Sequence, residues 1–186
     1  MDEKLSSKIL LAALRNKFPK AAILPEVTME DEIEAHRQRS ASILSWPRYK
    51  NIYDRKGLSY DVDIELPESY NYKTVTLIRR IDALIFEGKN TTAVEIKISR
   101  SDFFRDTLEK RSPWMRHTNR FVYLTPKGLV KLEEVPENCG LWEYENGSIV
   151  SVKNATRNKA LVDFPTSMIR YFAWRAFIAE QKSGRY

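Results

Sequence analysis

Arg79-Arg80-Ile81-Asp82-Ala83-Leu84-Ile85-Phe86 and Ala93-Val94-Glu95-Ile96-Lys97-Ile98 are two apolar runs of strand length, each interrupted by ionisable groups. Alternation of side chains along a strand puts Glu95 and Lys97 on one face and Val94, Ile96 and Ile98 on the other. The short connection Glu87-Gly88-Lys89-Asn90 predicts an antiparallel pair of strands, at residues 74–86 and 92–98. That pairing brings Asp82 alongside Glu95. Two carboxylates and an ammonium then share one small volume in an otherwise hydrophobic sheet.

Such a cluster is costly unless something offsets it, because neighbouring carboxylates repel one another and a buried lysine loses hydration. A hard divalent cation is one resolution: Asp82 and Glu95 hold the ion, the Ile96 carbonyl is a third protein ligand, and water and a phosphate oxygen take the open positions. Lys97 then stabilises charge on a phosphorus-centred transition state or acts on the attacking water. The other resolution is a cross-strand Glu–Lys ion pair on a solvated sheet face, which is common.

The motif resembles that of the PD-(D/E)xK nuclease superfamily, in which an Asp on one strand and an (Asp/Glu)-x-Lys on the next bind magnesium and cut phosphodiesters. The run Val94-Glu95-Ile96-Lys97-Ile98-Ser99-Arg100-Ser101-Asp102-Phe103, followed by Arg120-Phe121-Val122-Tyr123-Leu124-Thr125-Pro126, is similar to the MmcB-like branch, which includes small phage-encoded members. The resemblance spans about residues 74–150. It implies Asp82, Glu95 and Lys97 as the catalytic triad, magnesium as cofactor with manganese able to substitute, and DNA as substrate in repair, recombination or phage DNA metabolism. Ile81 stands where the superfamily's name has Pro. Many relatives add a Glu from the first helix; here Glu26 is preferred to Glu3 as that accessory catalytic residue, the alternative being a carboxylate at a strand end. The implied fold is α/β, a restriction-endonuclease-like αβββαβ core with a mixed central sheet flanked by helices. An inserted segment around residues 30–73 and a C-terminal hairpin and helix complete it.

At 186 residues, with 42% hydrophobic and 30% charged residues, the chain is expected to form a single domain with a core of its own. The composition excludes a disordered chain, and no apolar run approaches the roughly 18 residues of a membrane span. Residues 1–4 are polar and no signal-type apolar region adjoins them, so a cytoplasmic location without membrane attachment is expected. The single cysteine, Cys139, forbids an intrachain disulfide and reads as a turn residue. His36 and His117 lie in unrelated segments, which gives zinc no ligand set.

Thirty-one basic against 25 acidic residues give a net charge of +6, suited to a polyanionic partner. Between Lys97 and Arg120 seven basic residues stand against three acidic ones. Arg100, Arg105, Lys110, Arg111 and Arg116 are therefore candidate phosphate contacts, with a solvated helix face carrying pairs such as Asp106 and Lys110 as the alternative.

Residues 3–18 carry a helical apolar stripe that ends before Pro19, and residues 21–29 read as a strand. From Met29 to about Leu44 an acid-first, base-last run predicts an exposed helix. Residues 45–73 mix aromatics such as Trp46 and Tyr49 with Arg48 and Lys50. They either cover the core edge or stack on unpaired bases. Asp61, Asp63 and Glu65 alternate with aliphatic residues, as an edge strand or a second metal group would. Ser99 and Asp102 have capping-box spacing at the start of a helix whose core face is assigned to Phe104 and Leu108, with Ser112-Pro113 ending its first part. Asn146-Gly147 between two strand patterns predicts a hairpin. A helix at residues 168–178, apolar on more than one face, is expected to be buried on two sides, in the core or against a second copy or a repair-complex partner.

The sequence thus predicts a metal-dependent deoxyribonuclease. A catalytically inactive DNA-binding or repair-complex protein retaining the fold is the alternative, and a phage structural or host-interaction protein a third reading.

Overall fold

A computed structural model describes residues 5–36 and 72–182, and the side chains of residues 5–31 and 77–182. Helix α1 (Ser7–Lys17) leads into strands β1 (Ala22–His36), β2 (Tyr72–Glu87) and β3 (Asn90–Ile96). Helices α2 (Arg100–Phe104) and α3 (Leu108–His117) follow, then β4 (Arg120–Pro126), the hairpin β5 (Gly140–Glu145) and β6 (Ser148–Lys153), and helix α4 (Thr166–Lys182). The strands form one mixed six-stranded sheet in the order of the sequence. β3, β4 and β5 are parallel to one another, and the remaining neighbours are antiparallel. Each parallel step needs a crossover long enough to reverse the chain. α2 and α3 supply the one between β3 and β4.

Each face of the sheet buries its own cluster. α1 lays Leu10, Ala13 and Leu14 on Ala83, Ile85, Val94, Ile96 and Leu124. On the other face Trp114 of α3, Phe103 of α2 and Met168 of α4 cover Ile81, Leu84, Ala93, Phe121 and Tyr123. Strands buried on both faces read as continuous apolar runs, which is why Phe121 to Thr125 are all buried. Glu95 and Lys97 interrupt that rule.

The long β1–β2 ladder changes phase at one point. Leu24 packs with Leu84 and Phe86 on the α3 side, and so do Val27, Met29 and Ile81, although these have the opposite parity. The switch falls where the register runs from Pro25↔Ala83 to Val27↔Ile81 with no pair between Glu26 and Asp82. Glu26 there has a φ of 48°, a left-handed conformation that costs a non-glycine residue on the order of 1 kcal/mol. The guanidinium of Arg175 in α4 donates to the Pro25 carbonyl at 2.6 Å and so helps to hold the kink.

Several sequence expectations are corrected. Residues 29–36 continue β1 and form no helix: Val27, Met29 and Asp31 are buried while Thr28 and Glu30 are exposed, a period of two imposed by pairing with β2. Residues 37–44, the rest of that expected helix, lie outside the described residues, as do Glu3, Asp61, Asp63, Glu65 and the aromatic segment up to residue 71. Ser99 does cap α2, its hydroxyl accepting from the Asp102 N–H at 3.2 Å. The helix stops after Phe104, however, so Phe103 enters the core and Phe104 stays exposed under the Arg100 guanidinium. Ser112-Pro113 ends nothing, since α3 runs through Pro113. The Glu109 carbonyl, deprived of its helical donor by Pro113, receives the Ser112 hydroxyl at 3.5 Å instead. Cys139 does close a turn, its N–H donating to the Pro136 carbonyl at 2.9 Å, and its side chain is fully buried in the core. Among the described residues α4 packs on the domain through one side, by Met168, Tyr171 and Phe172, while Ile169, Trp174 and Phe177 are exposed.

Gly140 at the start of β5 is a position of close approach. A Cβ there would stand 3.0 Å from the Ala155 nitrogen, 3.0 Å from the Lys153 oxygen and 3.1 Å from a Val122 methyl. Two of these neighbours are backbone. Gly140→Ala is therefore expected to lower the unfolding free energy by about 1–3 kcal/mol in urea denaturation. A change within about 0.5 kcal/mol, ordinary for a surface position, would show that the chain after β6 gives way freely.

Candidate functional site

The turn at Gly88-Lys89 joins β2 to β3 and sets their register. Gly88 has a φ of 57°, the conformation a two-residue hairpin asks of its first central residue. Pairing runs from Glu87↔Asn90 to Ala83↔Val94 and then stops. The next pair would be Asp82 with Glu95. There the strands part, and the Asp82 carboxylate takes the role of a backbone carbonyl by accepting from the Ile96 N–H at 2.7 Å. β3 continues along β4 on its other side, where the Lys97 N–H donates to Leu124.

Glu95 and Lys97 share the face covered by α3, as the alternation requires. The Lys97 ammonium lies 2.9 Å from Glu95 Oε1 and 3.7 Å from Asp102 Oδ2. A cavity of about 230 Å³ opens beside them between β2, β3 and α3, and Arg79, Arg80, Lys110 and Arg111 stand in its wall. The structure thus brings Asp82, Glu95, Ile96 and Lys97 together. Glu26 sits across the β1–β2 ladder from Asp82, exposed and without a hydrogen bond or ion pair among the described residues.

The electrostatics are those of a crowded acidic pair. Burial, and then the charge of Asp82, push the Glu95 carboxyl up to about 7 despite the Lys97 ammonium. Asp82 is also raised, by burial that outweighs its bond from the Ile96 N–H and the attraction of Lys97. Burial pulls Lys97 down, but the charge and hydrogen bond of Glu95 more than offset it, so the ammonium is held above its ordinary value. Lys97 is therefore a cation at neutral pH. In this state it can stabilise negative charge but cannot accept a proton.

The donor set suits a hard cation of low protein coordination. Asp82 and Glu95 each retain one carboxylate oxygen without a hydrogen bond among the described residues, and both carboxylates are raised chiefly by burial, a cost that a bound cation would offset. No group of three or more His, Cys, Asp or Glu side chains suited to a metal assembles among the described residues. Magnesium is usually held by one or two carboxylates plus water and substrate phosphates, so two are enough.

The basic helix residues divide. Arg100 is clamped by Glu134 at 2.6 and 3.0 Å. Arg111 pairs with buried Asp106 at 3.3 Å, and Arg116 with buried Asp31 at 2.7 Å. Arg105 is largely exposed, with Asp102 at 3.4 Å, and among the described residues Lys110 reaches only the Arg105 carbonyl. Asp106 is thus a partner of Arg111 and of the Tyr123 hydroxyl, not of Lys110. Sequence reasoning passed over Arg79, Arg80, Asp102 and Trp114, all of which border the site. The paired arginines preceding Asp82 in a strand were the one available signal.

No protein-family description matches the chain, and no curated protein matches it. It is similar to a solved structure of a protein of unknown function from Silicibacter pomeroyi, at 22% identity over 55% of this chain and 68% of that one, with a TM-score of 0.43. Among the described residues no helix is long and apolar enough to cross a membrane.

Proposed function

We propose that this chain is a metal-dependent deoxyribonuclease of the PD-(D/E)xK type. The observation that carries this reading is the parting of β2 from β3 at Asp82 and Glu95, with the Lys97 ammonium 2.9 Å from Glu95. The order helix, three strands, helices, strand agrees with the αβββαβ core that the resemblance implies. Asp82, Glu95 and the Ile96 carbonyl would hold magnesium or manganese, which would supply charge neutralisation on the phosphate and a more acidic bound water. Hydrolysis adds a water oxygen to phosphorus and expels one ester oxygen. Lys97, kept protonated by Glu95, stabilises the charge that builds on the non-bridging oxygens. Glu95 would orient the water through the carboxylate oxygen that Lys97 does not engage. The cation-lined cavity draws the phosphate backbone toward this point.

The Glu95–Lys97 pair is also satisfied on its own, which favours a second reading as a DNA-binding protein that does not cut. Incubation of single-stranded, duplex and branched DNA with magnesium or manganese separates the two. Cutting that depends on metal and disappears in Asp82→Asn and Lys97→Ala supports the enzyme. Salt-sensitive binding with equal, negligible turnover in all three proteins supports the binder.

The pH dependence follows from Glu95. Its carboxyl lies near 7 when folded and near 4.5 unfolded, so the folded metal-free protein binds this proton more tightly. The associated stability is complete below about pH 4.5 and is lost as the pH rises through about 7. A cation displaces the same proton. Magnesium affinity, read by calorimetric titration, is expected to fall about tenfold per unit below pH 7 and to level off above it. A flat profile between about pH 5.5 and about pH 7 would remove Glu95 from the ligand set.

A further inference from the structure

We propose that Arg175 of α4 is a positioning residue for Asp82, acting through the kink of β1 at Glu26; the consequence for a bound cation rests on the nuclease reading. The kink is shared by two strands. In β1 Leu24 and Val27 lie on the same face of the sheet, and in β2 so do Ile81 and Leu84. A spacing of three on one face is foreign to a regular strand, in which the same face recurs every second residue. Both strands therefore change phase together, at the level of Glu26 and Asp82.

Asp82 is the residue left over by that change. Ile81 packs on the α3 side and Ala83 on the α1 side, and Asp82 between them has no ladder pair in either β1 or β3. Its carboxylate reaches sideways along the sheet to the Ile96 N–H at 2.7 Å. Regular alternation would send that carboxylate to one face or the other, away from the backbone of β3. The phase change thus aims it at the neighbouring strand.

Arg175 acts on the peptide group at the centre of the kink. Its guanidinium donates to the Pro25 carbonyl at 2.6 Å, and the nitrogen of the same planar peptide belongs to Glu26, whose φ is 48°. Since φ is the rotation of that peptide about the Glu26 N–Cα bond, a donor that fixes the carbonyl also restrains φ. The left-handed conformation is unfavourable for a residue with a Cβ and persists where its surroundings impose it. Tyr171, one turn earlier in α4, steadies the guanidinium, its ring centroid 5.6 Å from Cζ and its hydroxyl 3.5 Å from the same terminal nitrogen. Met168, Tyr171 and Phe172 seat the helix on the sheet.

Hydrogen exchange of the metal-free protein, followed by NMR, reads the placement of Asp82 without metal or cleavage. The Ile96 N–H is held by Asp82, and the next one, of Lys97, by the Leu124 carbonyl in β4. Arg175→Met keeps an apolar stem and loses the donors. It is expected to speed exchange at Ile96 at least about tenfold relative to Lys97, the weight of one hydrogen bond from a charged donor. Arg175→Lys, which retains a donor, should lose less. Glu26→Gly added to Arg175→Met is expected to restore protection at Ile96, because glycine takes the left-handed conformation freely. A merely structural tie would raise exchange at both amides alike and overturn the proposal. Failure of Glu26→Gly to restore Ile96 would overturn it too, since Arg175 would then act by another route. Magnesium titration of the same proteins tests the nuclease reading separately. Binding about tenfold weaker in Arg175→Met, alongside faster exchange at Ile96, supports both. Selectively faster exchange with unchanged or absent magnesium binding leaves Arg175 in its role and removes Asp82 from the ligand set; unchanged exchange ends that role whatever the protein cuts.

Discussion

Replacing Lys97 by alanine is expected to slow DNA cleavage about a hundred- to a thousandfold, the loss typical of one preorganised donor facing developing charge. Lys97 is nearly buried, its ammonium is fixed by Glu95, and the pair faces the cavity in which a scissile phosphate would lie. Lys97→Arg should not restore the rate, because a planar guanidinium cannot occupy the space of a compact ammonium. Folding is expected to survive. Glu95, already raised to about 7, can take up a proton when its partner is removed, so the loss should fall below the roughly 3–5 kcal/mol that follows rupture of a buried pair. Single-turnover cleavage of a labelled oligonucleotide, with a melting curve of the same preparation, checks both halves. Unchanged cleavage by a folded Lys97→Ala protein would end the proposal that this lysine takes part in hydrolysis.

Asp31→Ala is expected to have the largest effect on stability, about 3–5 kcal/mol, because it removes the buried carboxylate shared by the buried Arg79 and the partly exposed Arg116 guanidinium groups. Asp31 is 5% exposed and accepts from Arg79 Nε at 3.0 Å and from Arg116 at 2.7 Å. It thereby ties β1 to β2 and to α3. Without it two guanidinium groups face one another across the gap, and among the described residues only Arg79 has a second carboxylate, that of Glu109. For a chain of this length the melting temperature should fall on the order of 10 °C. Arg116→Ala should cost less, since Arg116 is about one-third exposed and Asp31 keeps Arg79. Equal losses for the two variants in urea denaturation would show that the network does not centre on Asp31.

The sheet was legible where its signals are local. Strands β2 to β6 were visible as apolar runs punctuated by turns, and Ser99 as a helix cap, because turn and cap chemistry act over two to four residues. Residues 29–36 misled, since acidic residues before basic ones read as a helix when the partner strand is unknown. Phe103 and Phe104 exchanged roles because the break after α2 depends on where α3 packs. The apolar residues on more than one face of α4 suggested burial on two sides, but the described residues cover one.

Within the site, the pattern Glu95-Ile96-Lys97 was enough by itself to put a carboxylate and an ammonium on one side of a strand. Side-chain alternation is a property of the extended backbone and needs no neighbour. Only the tertiary structure decided which arginines remain free, because Arg79 and Arg116 reach Asp31 across 48 and 85 residues of chain and no spacing rule foretells such partners. It also decided that β2 leaves β3 at Asp82. That parting lies level with Glu26, which turns left-handed in a third strand, a feature set by the packing of two sheet faces and not by any one segment.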